Sequence, residues 1–221
     1  MTRRRFGALG MAMGLMAVLP RAANALDVNE SGVEVRTPDG VADCYFVHPA
    51  SGAHAGVLIW PDILGLRPAF RRMARRLAES GYAVLVVNPY YRRQRAPVIP
   101  DGATYAEQST RDIVMPLYQS LDARTHVTDA KAFVAWLDDQ PAVDRKRKVG
   151  TMGYCMGGPI TMRTAAAVPG RVGAAASFHG GGLVTDQPDS PHLLVPQMKA
   201  HYLIASAETD DQREPAAKDV L

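Results

Sequence analysis

A cysteine lies between two glycines in the segment Gly153-Tyr154-Cys155-Met156-Gly157, and this spacing suits a nucleophile. A strand-like run precedes Cys155 and a helical pattern follows it. The cysteine would then occupy a sharp turn, where the glycines let chain segments cross closely. The helix that begins at Met156 would direct its positive end at the sulfur, lower the thiol pKa and offer N–H groups to an oxyanion. The pattern predicts a thiolate that attacks a carbonyl carbon; the alternative is a small cysteine packed in the core.

Strands and helices alternate along the chain around this turn. An uninterrupted apolar run predicts a buried strand at residues 56–60, and largely apolar segments predict further strands at residues 82–87, 148–153, 172–178 and 201–206. Apolar residues at helical spacing predict helices that begin at Pro68, after Thr128 and at Met156. This alternation is typical of an α/β protein with a mostly parallel central sheet and helices on both faces.

Two segments depart from this alternation. Residues 32–36 and 40–48 predict two strands that form an antiparallel hairpin around Pro38-Asp39-Gly40. Residues 90–127 lack a regular pattern, and a loop of this length inside a compact domain is often a lid or a binding loop.

The N-terminal 25 residues predict an export signal. Three arginines precede an uncharged apolar stretch at residues 7–20, and Ala23-Asn24-Ala25 forms a small-x-small cleavage site. The start Thr2-Arg3-Arg4-Arg5-Phe6 resembles the twin-arginine signal. The apolar stretch is shorter than the roughly 20 residues that span a membrane, which favours a cleaved leader over an anchor. We therefore predict a periplasmic or secreted bacterial protein with no stable membrane span after signal removal.

The composition indicates a single globular domain. Of the 221 residues, 47% are hydrophobic and 21% are charged. Residues 1–25 hold four of the 25 basic residues and no acidic one, so the remainder carries 21 basic and 22 acidic residues, a net charge of −1. This balance predicts no nucleic-acid partner. We predict no cofactor and no metal, and we expect Cys44 and Cys155 to remain free thiols rather than to pair.

At Gly153–Gly158 the sequence GYCMGG is similar to the nucleophile turn of the dienelactone hydrolases, a cysteine-using branch of the α/β-hydrolases. The segment Trp60-Pro61-Asp62-Ile63-Leu64-Gly65 resembles the one after the family's third strand. The segment at residues 88–92, with sequence NPYYR, resembles the one after the next strand. The likeness covers residues 32–221 and implies the α/β-hydrolase fold.

The resemblance implies a role for each matching residue. Cys155 would attack an ester or lactone carbonyl, and the backbone N–H groups of Ile63 and Met156 would form the oxyanion hole. Asp62 falls where the family has a glutamate that contacts the resting cysteine, but an aspartate is one methylene shorter; the alternative is a turn-forming aspartate beside a proline. Arg92 falls near an arginine that holds the substrate carboxylate; the alternative is a solvated charge.

The family's acid lies after the seventh strand, in a turn that ends with proline. Counting back from Pro215 selects Asp211 as the triad acid, with Asp210 and Glu208 close enough to be alternatives. An aspartate here would orient the base histidine and stabilise its imidazolium form.

The family's histidine follows the acid, whereas no histidine follows His201 in this sequence. Of the six histidines, only His179 lies at the carboxyl end of a predicted strand, where such sites assemble. The chain order Cys, Asp, His usual in this fold favours a loop or substrate-contact role for His179 over that of the base.

The sequence therefore predicts an exported α/β-hydrolase domain at residues 26–221 that acts on a small ester or lactone. We expect its last strand and helix to be missing, together with the base, and we expect slow turnover because nothing would deprotonate the thiol. The alternative is a catalytically inactive hydrolase-fold protein that binds a small ligand or a partner. A thiol redox protein is disfavoured because Cys155 has no C-x-x-C partner.

Overall fold

The chain folds around one seven-stranded sheet, and the computed structural model describes residues 25–221. The predicted export signal lies outside the described residues, apart from its last position. The strands, in chain order, are β1 (Val28–Thr37), β2 (Gly40–Pro49), β3 (Ala55–Trp60), β4 (Tyr82–Val87), β5 (Val149–Tyr154), β6 (Val172–Phe178) and β7 (His201–Ala205). Their order across the sheet is β1-β2-β4-β3-β5-β6-β7.

Six α-helices and one 3-10 helix accompany these strands in the described part of the chain. The α-helices are α1 (Pro68–Glu79), α2 (Gln108–Gln119), α3 (Ala123–Asp138), α4 (Gly157–Ala167), α5 (Glu208–Arg213) and α6 (Ala217–Val220), and the 3-10 helix is Pro191–Gln197. None of the helices at residues 25–221 is long and apolar enough to cross a membrane.

The predicted hairpin and the predicted parallel strands are both confirmed. β1 and β2 pair antiparallel with Thr37 opposite Gly40, although β1 begins at Val28, four residues earlier than expected. β2 also pairs antiparallel with β4. The strands β3, β4, β5, β6 and β7 all run parallel to one another. Because parallel strands end at the same edge, the segments that follow β3, β5, β6 and β7 meet at one side of the sheet.

Two helix layers cover the central strands unequally. The side chains of Trp60, Phe133 and Ile160 belong to a buried cluster on the face of α3 and α4. Ile59 and Phe70 belong to the cluster under α1 on the other face. Met152 and Tyr154 of β5 also pack against this cluster, whereas Leu203 on β7 is 56% exposed.

The region at residues 90–127 is more regular than the sequence predicted. It contains α2, which includes Pro116 and buries Val114 and Leu117, so the expectation of an irregular loop was wrong there. The next helix begins at Ala123, not after Thr128. Asp122 caps α3 because its carboxylate accepts the N–H of Thr125 at 2.7 Å, and the Thr125 hydroxyl accepts the N–H of Asp122.

A buried ion pair joins the segment after β4 to α3. Asp129 is 1% exposed and accepts two hydrogen bonds from Arg92, at 2.6 and 2.8 Å, and one from the Tyr91 hydroxyl at 2.8 Å. Arg92 also donates to Asp39 in the β1–β2 turn, at 2.7 and 3.0 Å. The guanidinium lies 4.5 Å from the centre of the Tyr91 ring. This cluster ties the hairpin to the helix layer.

Asp129→Asn is expected to lower the free energy of unfolding by about 3 kcal/mol, because it leaves the buried Arg92 without its closest counter-charge. Urea denaturation with an unchanged m-value measures this loss. Glu34→Gln is the matched control, since it breaks the Arg95–Glu34 pair, whose side chains are 70% and 60% exposed. That control is expected to change stability by less than about 0.5 kcal/mol, and equal losses in the two variants would contradict the role given to Asp129.

Candidate active site

Cys155 lies in the predicted sharp turn between β5 and α4. Its backbone adopts φ 51°, a left-handed conformation that is costly for a residue with a side chain. The surrounding chain holds it there: the Cys155 N–H donates to the carbonyl of Phe178 at 3.0 Å, and the Gly158 N–H donates to the carbonyl of Cys155 at 2.9 Å. A strained residue at the carboxyl edge of the sheet marks a candidate site.

The flanking glycines are required by close backbone crossing, as the sequence predicted. A Cβ atom at Gly153 would lie 2.1 Å from the carbonyl oxygen of Gly157. A Cβ atom at Gly157 would lie 2.3 Å from the carbonyl oxygen of Trp60, at the end of β3. Neither position can accommodate a side chain without moving backbone, so the end of β3 and the start of α4 are in direct contact.

Two backbone N–H groups meet at the sulfur of Cys155. The N–H groups of Met156 and Ile63 lie near enough to the sulfur to favour the thiolate form and lower its pKa. These are the two donors that the resemblance assigned to an oxyanion hole. Cys155 is only partly buried, whereas Cys44 is 4% exposed, and both thiols are free.

The acidity of Cys155 differs from the expectation. Burial raises the pKa of the thiol, and the negative charges of Asp62 and Asp210 raise it further. These effects outweigh the donors at Met156 and Ile63, so the pKa lies above its ordinary value rather than below it. The start of the helix does lower the thiol pKa, as predicted, but the prediction omitted desolvation and the nearby carboxylates, which outweigh it.

Asp62 holds the turn that carries Ile63 rather than the cysteine itself. Its two carboxylate oxygens accept from Arg67 at 2.6 and 2.7 Å, and one of them also accepts the Leu64 N–H at 3.0 Å. No hydrogen bond joins Asp62 to Cys155 among residues 25–221. The aspartate therefore acts on the thiol through its charge, and the turn-forming alternative describes its contacts. Sequence reasoning missed Arg67, which has no distinguishing pattern around it.

Arg92 is not brought to this site. Its guanidinium is bound by Asp39 and Asp129, on the side of the sheet where the hairpin meets α3, and its side chain is 16% exposed. These contacts do not support the expected role as a clamp for a substrate carboxylate, because a guanidinium held by two aspartates has little capacity left for a ligand. The partners lie 37 and 53 residues away in the chain, which the local sequence does not reveal.

The three candidate acids after β7 are placed differently. Asp211, selected by counting from Pro215, points to Lys218 with its Oδ2 2.8 Å from the ammonium nitrogen. Glu208 is exposed and accepts a hydrogen bond from Gln212. Asp210 has its Oδ2 3.6 Å from Nδ1 of His179, and its charge acts on Cys155. The structure therefore brings Asp210, rather than Asp211, toward the thiol.

His179 follows directly on the residue whose carbonyl accepts the Cys155 N–H. It has a left-handed φ of 47°, and its own N–H donates to the carbonyl of Ala205 at 2.7 Å. Its side chain is 53% exposed. A cavity of about 250 Å³ opens beside it, lined among others by Gly180, Leu183 and Asp210. The residue thus lies at the carboxyl edge of the sheet, as predicted.

A buried tyrosine that the sequence did not single out also belongs to the site. Tyr90 follows β4, is 1% exposed, and has its hydroxyl 2.9 Å from the carbonyl oxygen of Ile63 and 3.1 Å from the sulfur of Met156. The only signal in the sequence was its place after a buried strand, where the chain reaches the same edge of the sheet as the cysteine.

Comparisons with known proteins agree with this geometry. The profile of the dienelactone hydrolase family matches residues 42–219. A carboxymethylenebutenolidase of Rhodococcus opacus is 30% identical over 141 residues, which cover 63% of this chain and 50% of that protein. A carboxymethylenebutenolidase of Pseudomonas putida is 27% identical over 169 residues, covering 76% and 68%. The matched part of the chain thus spans about half the length of the Rhodococcus protein.

Solved structures show the same fold. A dienelactone hydrolase from Anabaena variabilis superposes with a TM-score of 0.64 at 23% identity, over 88% of this chain and 80% of that one. An esterase from Pyrococcus furiosus superposes with a TM-score of 0.55 at 16% identity, over 87% and 79%. These likenesses confirm the predicted α/β-hydrolase fold.

Asp210→Asn is expected to raise the alkylation rate of Cys155 about three-fold at a fixed pH below the thiol pKa, because removing a negative charge favours the thiolate. The rate of iodoacetamide labelling, resolved at Cys155 by peptide mass spectrometry and measured across pH, tests this. Asp211→Asn is the matched control, since the neighbouring carboxylate binds Lys218, and it is expected to leave the rate unchanged. The reverse result would place Asp211, not Asp210, beside the sulfur.

Proposed function

Since the chain belongs to the dienelactone hydrolase family, we propose that it hydrolyses a small ester or lactone with Cys155 as the nucleophile. The observation that carries the proposal is the strained turn of Cys155, where Gly157 packs against the end of β3 and the Ile63 and Met156 N–H groups favour the thiolate. A carbonyl carbon attacked by that sulfur would have its oxygen within reach of the same two donors. This is the arrangement that acyl transfer requires.

The reaction proceeds in two stages. The thiolate of Cys155 attacks the carbonyl carbon, and the developing oxyanion accepts hydrogen bonds from the N–H groups of Ile63 and Met156. Collapse of the intermediate breaks the ester bond, and the leaving alkoxide takes up a proton; in a lactone it stays tethered to the acyl group. Water then cleaves the thioester, which releases the acid and restores the thiol.

The raised pKa of Cys155 sets the pH at which this chemistry runs. The thiol is mostly protonated at neutral pH, because burial and the charges of Asp62 and Asp210 disfavour the thiolate. Acylation of the isolated chain should therefore become faster as the pH rises toward the thiol pKa. In this proposal His179 contacts the substrate, because its exposed imidazole lies near Asp210 at the carboxyl edge of the sheet and precedes the carboxylates in the chain.

The proposal gives the chemical class of the substrate but not its identity. The cavity of about 250 Å³ is lined by Asp210 but not by Cys155, so it does not by itself define the substrate. The proposal does not include binding of a substrate carboxylate by Arg92, since that guanidinium is held by Asp39 and Asp129. The proposal includes export of the protein, which rests on the basic, apolar and small-residue regions of residues 1–25.

Incubation with p-nitrophenyl acetate is expected to add one acetyl group to Cys155, at a rate that rises with pH. Cys155→Ala should abolish the acetylation because the nucleophile is lost, whereas Cys44→Ala, which removes the buried thiol, should retain it. Intact-protein and peptide mass spectrometry measure both. Binding of the ester that survives Cys155→Ala, with no acetyl-enzyme in the unmodified protein, would support the inactive ligand-binding alternative instead.

His179→Ala is expected to raise the KM for ester substrates about five-fold while the acylation rate at saturation stays within about two-fold, as loss of a substrate contact predicts. Stopped-flow release of p-nitrophenolate over a range of substrate concentrations separates the two parameters. If the saturated acylation rate falls about 100-fold and the remaining rate rises with pH, His179 would instead be the general base. His192→Ala is the control, because that imidazole bonds to the Ser190 hydroxyl, in the segment before the 3-10 helix.

A further inference from the structure

Tyr90 is buried between the two chain segments that supply the N–H donors. Its hydroxyl lies 2.9 Å from the carbonyl oxygen of Ile63, in the turn after β3, and 3.1 Å from the sulfur of Met156, at the start of α4. A phenol has one hydrogen to donate, and the carbonyl oxygen is the stronger acceptor. One side chain therefore contacts both residues whose backbone N–H groups point at the cysteine.

The backbone of Tyr90 is itself held in place. Its N–H donates to the side-chain oxygen of Asn88 at 3.0 Å, and Asn88 is fully buried. The amide nitrogen of Asn88 donates to Asp43 on β2 at 2.9 Å and to the carbonyl of Gln94 at 2.8 Å. These hydrogen bonds fix the segment that carries the phenol to β2 of the sheet.

The turn that carries Ile63 has two independent restraints. One is the Asp62 carboxylate, which binds Arg67 and the Leu64 N–H. The other is Tyr90, whose hydroxyl holds the Ile63 carbonyl and whose ring lies 3.4 Å from the position of a Cβ at Gly65. Gly65 has a φ of 73°, so the turn passes against the ring in a conformation that favours glycine.

We propose that Tyr90 is a positioning residue that aligns the Ile63 and Met156 N–H groups with the Cys155 sulfur, and so sets both the acidity of the thiol and the geometry of the oxyanion hole. The part that concerns catalysis rests on the proposed hydrolase function; the part that concerns thiol acidity does not. Burial raises the pKa of Tyr90, so its hydroxyl stays protonated and remains a donor over the working range of pH.

Tyr90→Phe removes the hydroxyl and keeps the ring. The Ile63 carbonyl then loses its partner, the two N–H groups lose alignment, and the thiolate loses stabilisation. Iodoacetamide labelling of Cys155 at a fixed pH below the thiol pKa is expected to slow about three-fold, with the whole pH profile moved to higher pH. The saturated rate of p-nitrophenyl acetate acylation is expected to fall about ten-fold, with KM within about two-fold of the unmodified protein.

Tyr91→Phe is the matched control. Tyr91 is adjacent in the chain and 9% exposed, and its hydroxyl also has two partners, Thr37 at 2.6 Å and Asp129 at 2.8 Å. Both variants remove a buried phenol hydroxyl, but only Tyr90 contacts Ile63 and Met156. Tyr91→Phe is expected to lower thermal stability without moving the labelling profile, so a general loss of packing cannot imitate the effect of Tyr90→Phe.

The outcomes separate this proposal from the hydrolase function. A labelling profile in Tyr90→Phe that matches the unmodified protein, or one that moves equally in Tyr91→Phe, overturns the positioning role whether or not esters are cleaved. A moved profile in a protein that forms no acetyl-enzyme supports the positioning role and overturns the hydrolase function. If Tyr90→Phe does not fold, Asn88→Ala removes the oxygen that holds the Tyr90 N–H and so loosens the phenol; it is expected to slow labelling in the same direction, and an unchanged profile overturns the proposal.

Discussion

The contact between the end of β3 and the start of α4 is the constraint on which the site depends. Gly157 lies so close to the carbonyl oxygen of Trp60 that a Cβ would approach it to 2.3 Å. This approach brings the turn after β3 against the first residues of α4, and only there can the N–H groups of Ile63 and Met156 reach the same sulfur. The strained φ of Cys155 is the local cost of that contact, and the hydrogen bond from its N–H to Phe178 offsets part of it.

Opposing electrostatic effects act on the thiol of Cys155. The two N–H groups favour the thiolate, while burial and the charges of Asp62 and Asp210 disfavour it, and the pKa of Cys155 is raised overall. The same burial strengthens each hydrogen bond to a developing oxyanion, because the local dielectric is low. The raised pKa of Cys155 shows that burial and the two carboxylates outweigh the two backbone donors.

The sequence was most informative where local pattern and backbone geometry coincide. The sharp turn at Cys155, the hairpin and the parallel strands follow from glycine spacing and from apolar runs, and all three are confirmed. The contacts of Arg92 and of the carboxylates after β7 did not follow from the sequence, for different reasons. The partners of Arg92 come from the hairpin and α3, far away in sequence. Asp210 and Asp211 are neighbours in the first turn of α5, and the rotation of about 100° between successive helical residues sends one to His179 and the other to Lys218.

The two restraints on the turn at Ile63 act differently on the thiol. Asp62 fixes the turn through Arg67 and Leu64, but its negative charge also raises the pKa of Cys155. Tyr90 fixes the same turn from the opposite side with a neutral hydroxyl, and so aligns the donors without adding charge near the sulfur. If Asp62 alone held the turn, the restraint on Ile63 would always be accompanied by a higher pKa of Cys155. The partner in this position must donate to the Ile63 carbonyl, which an ionised carboxylate cannot do, and the phenol hydroxyl does so without adding negative charge near the sulfur.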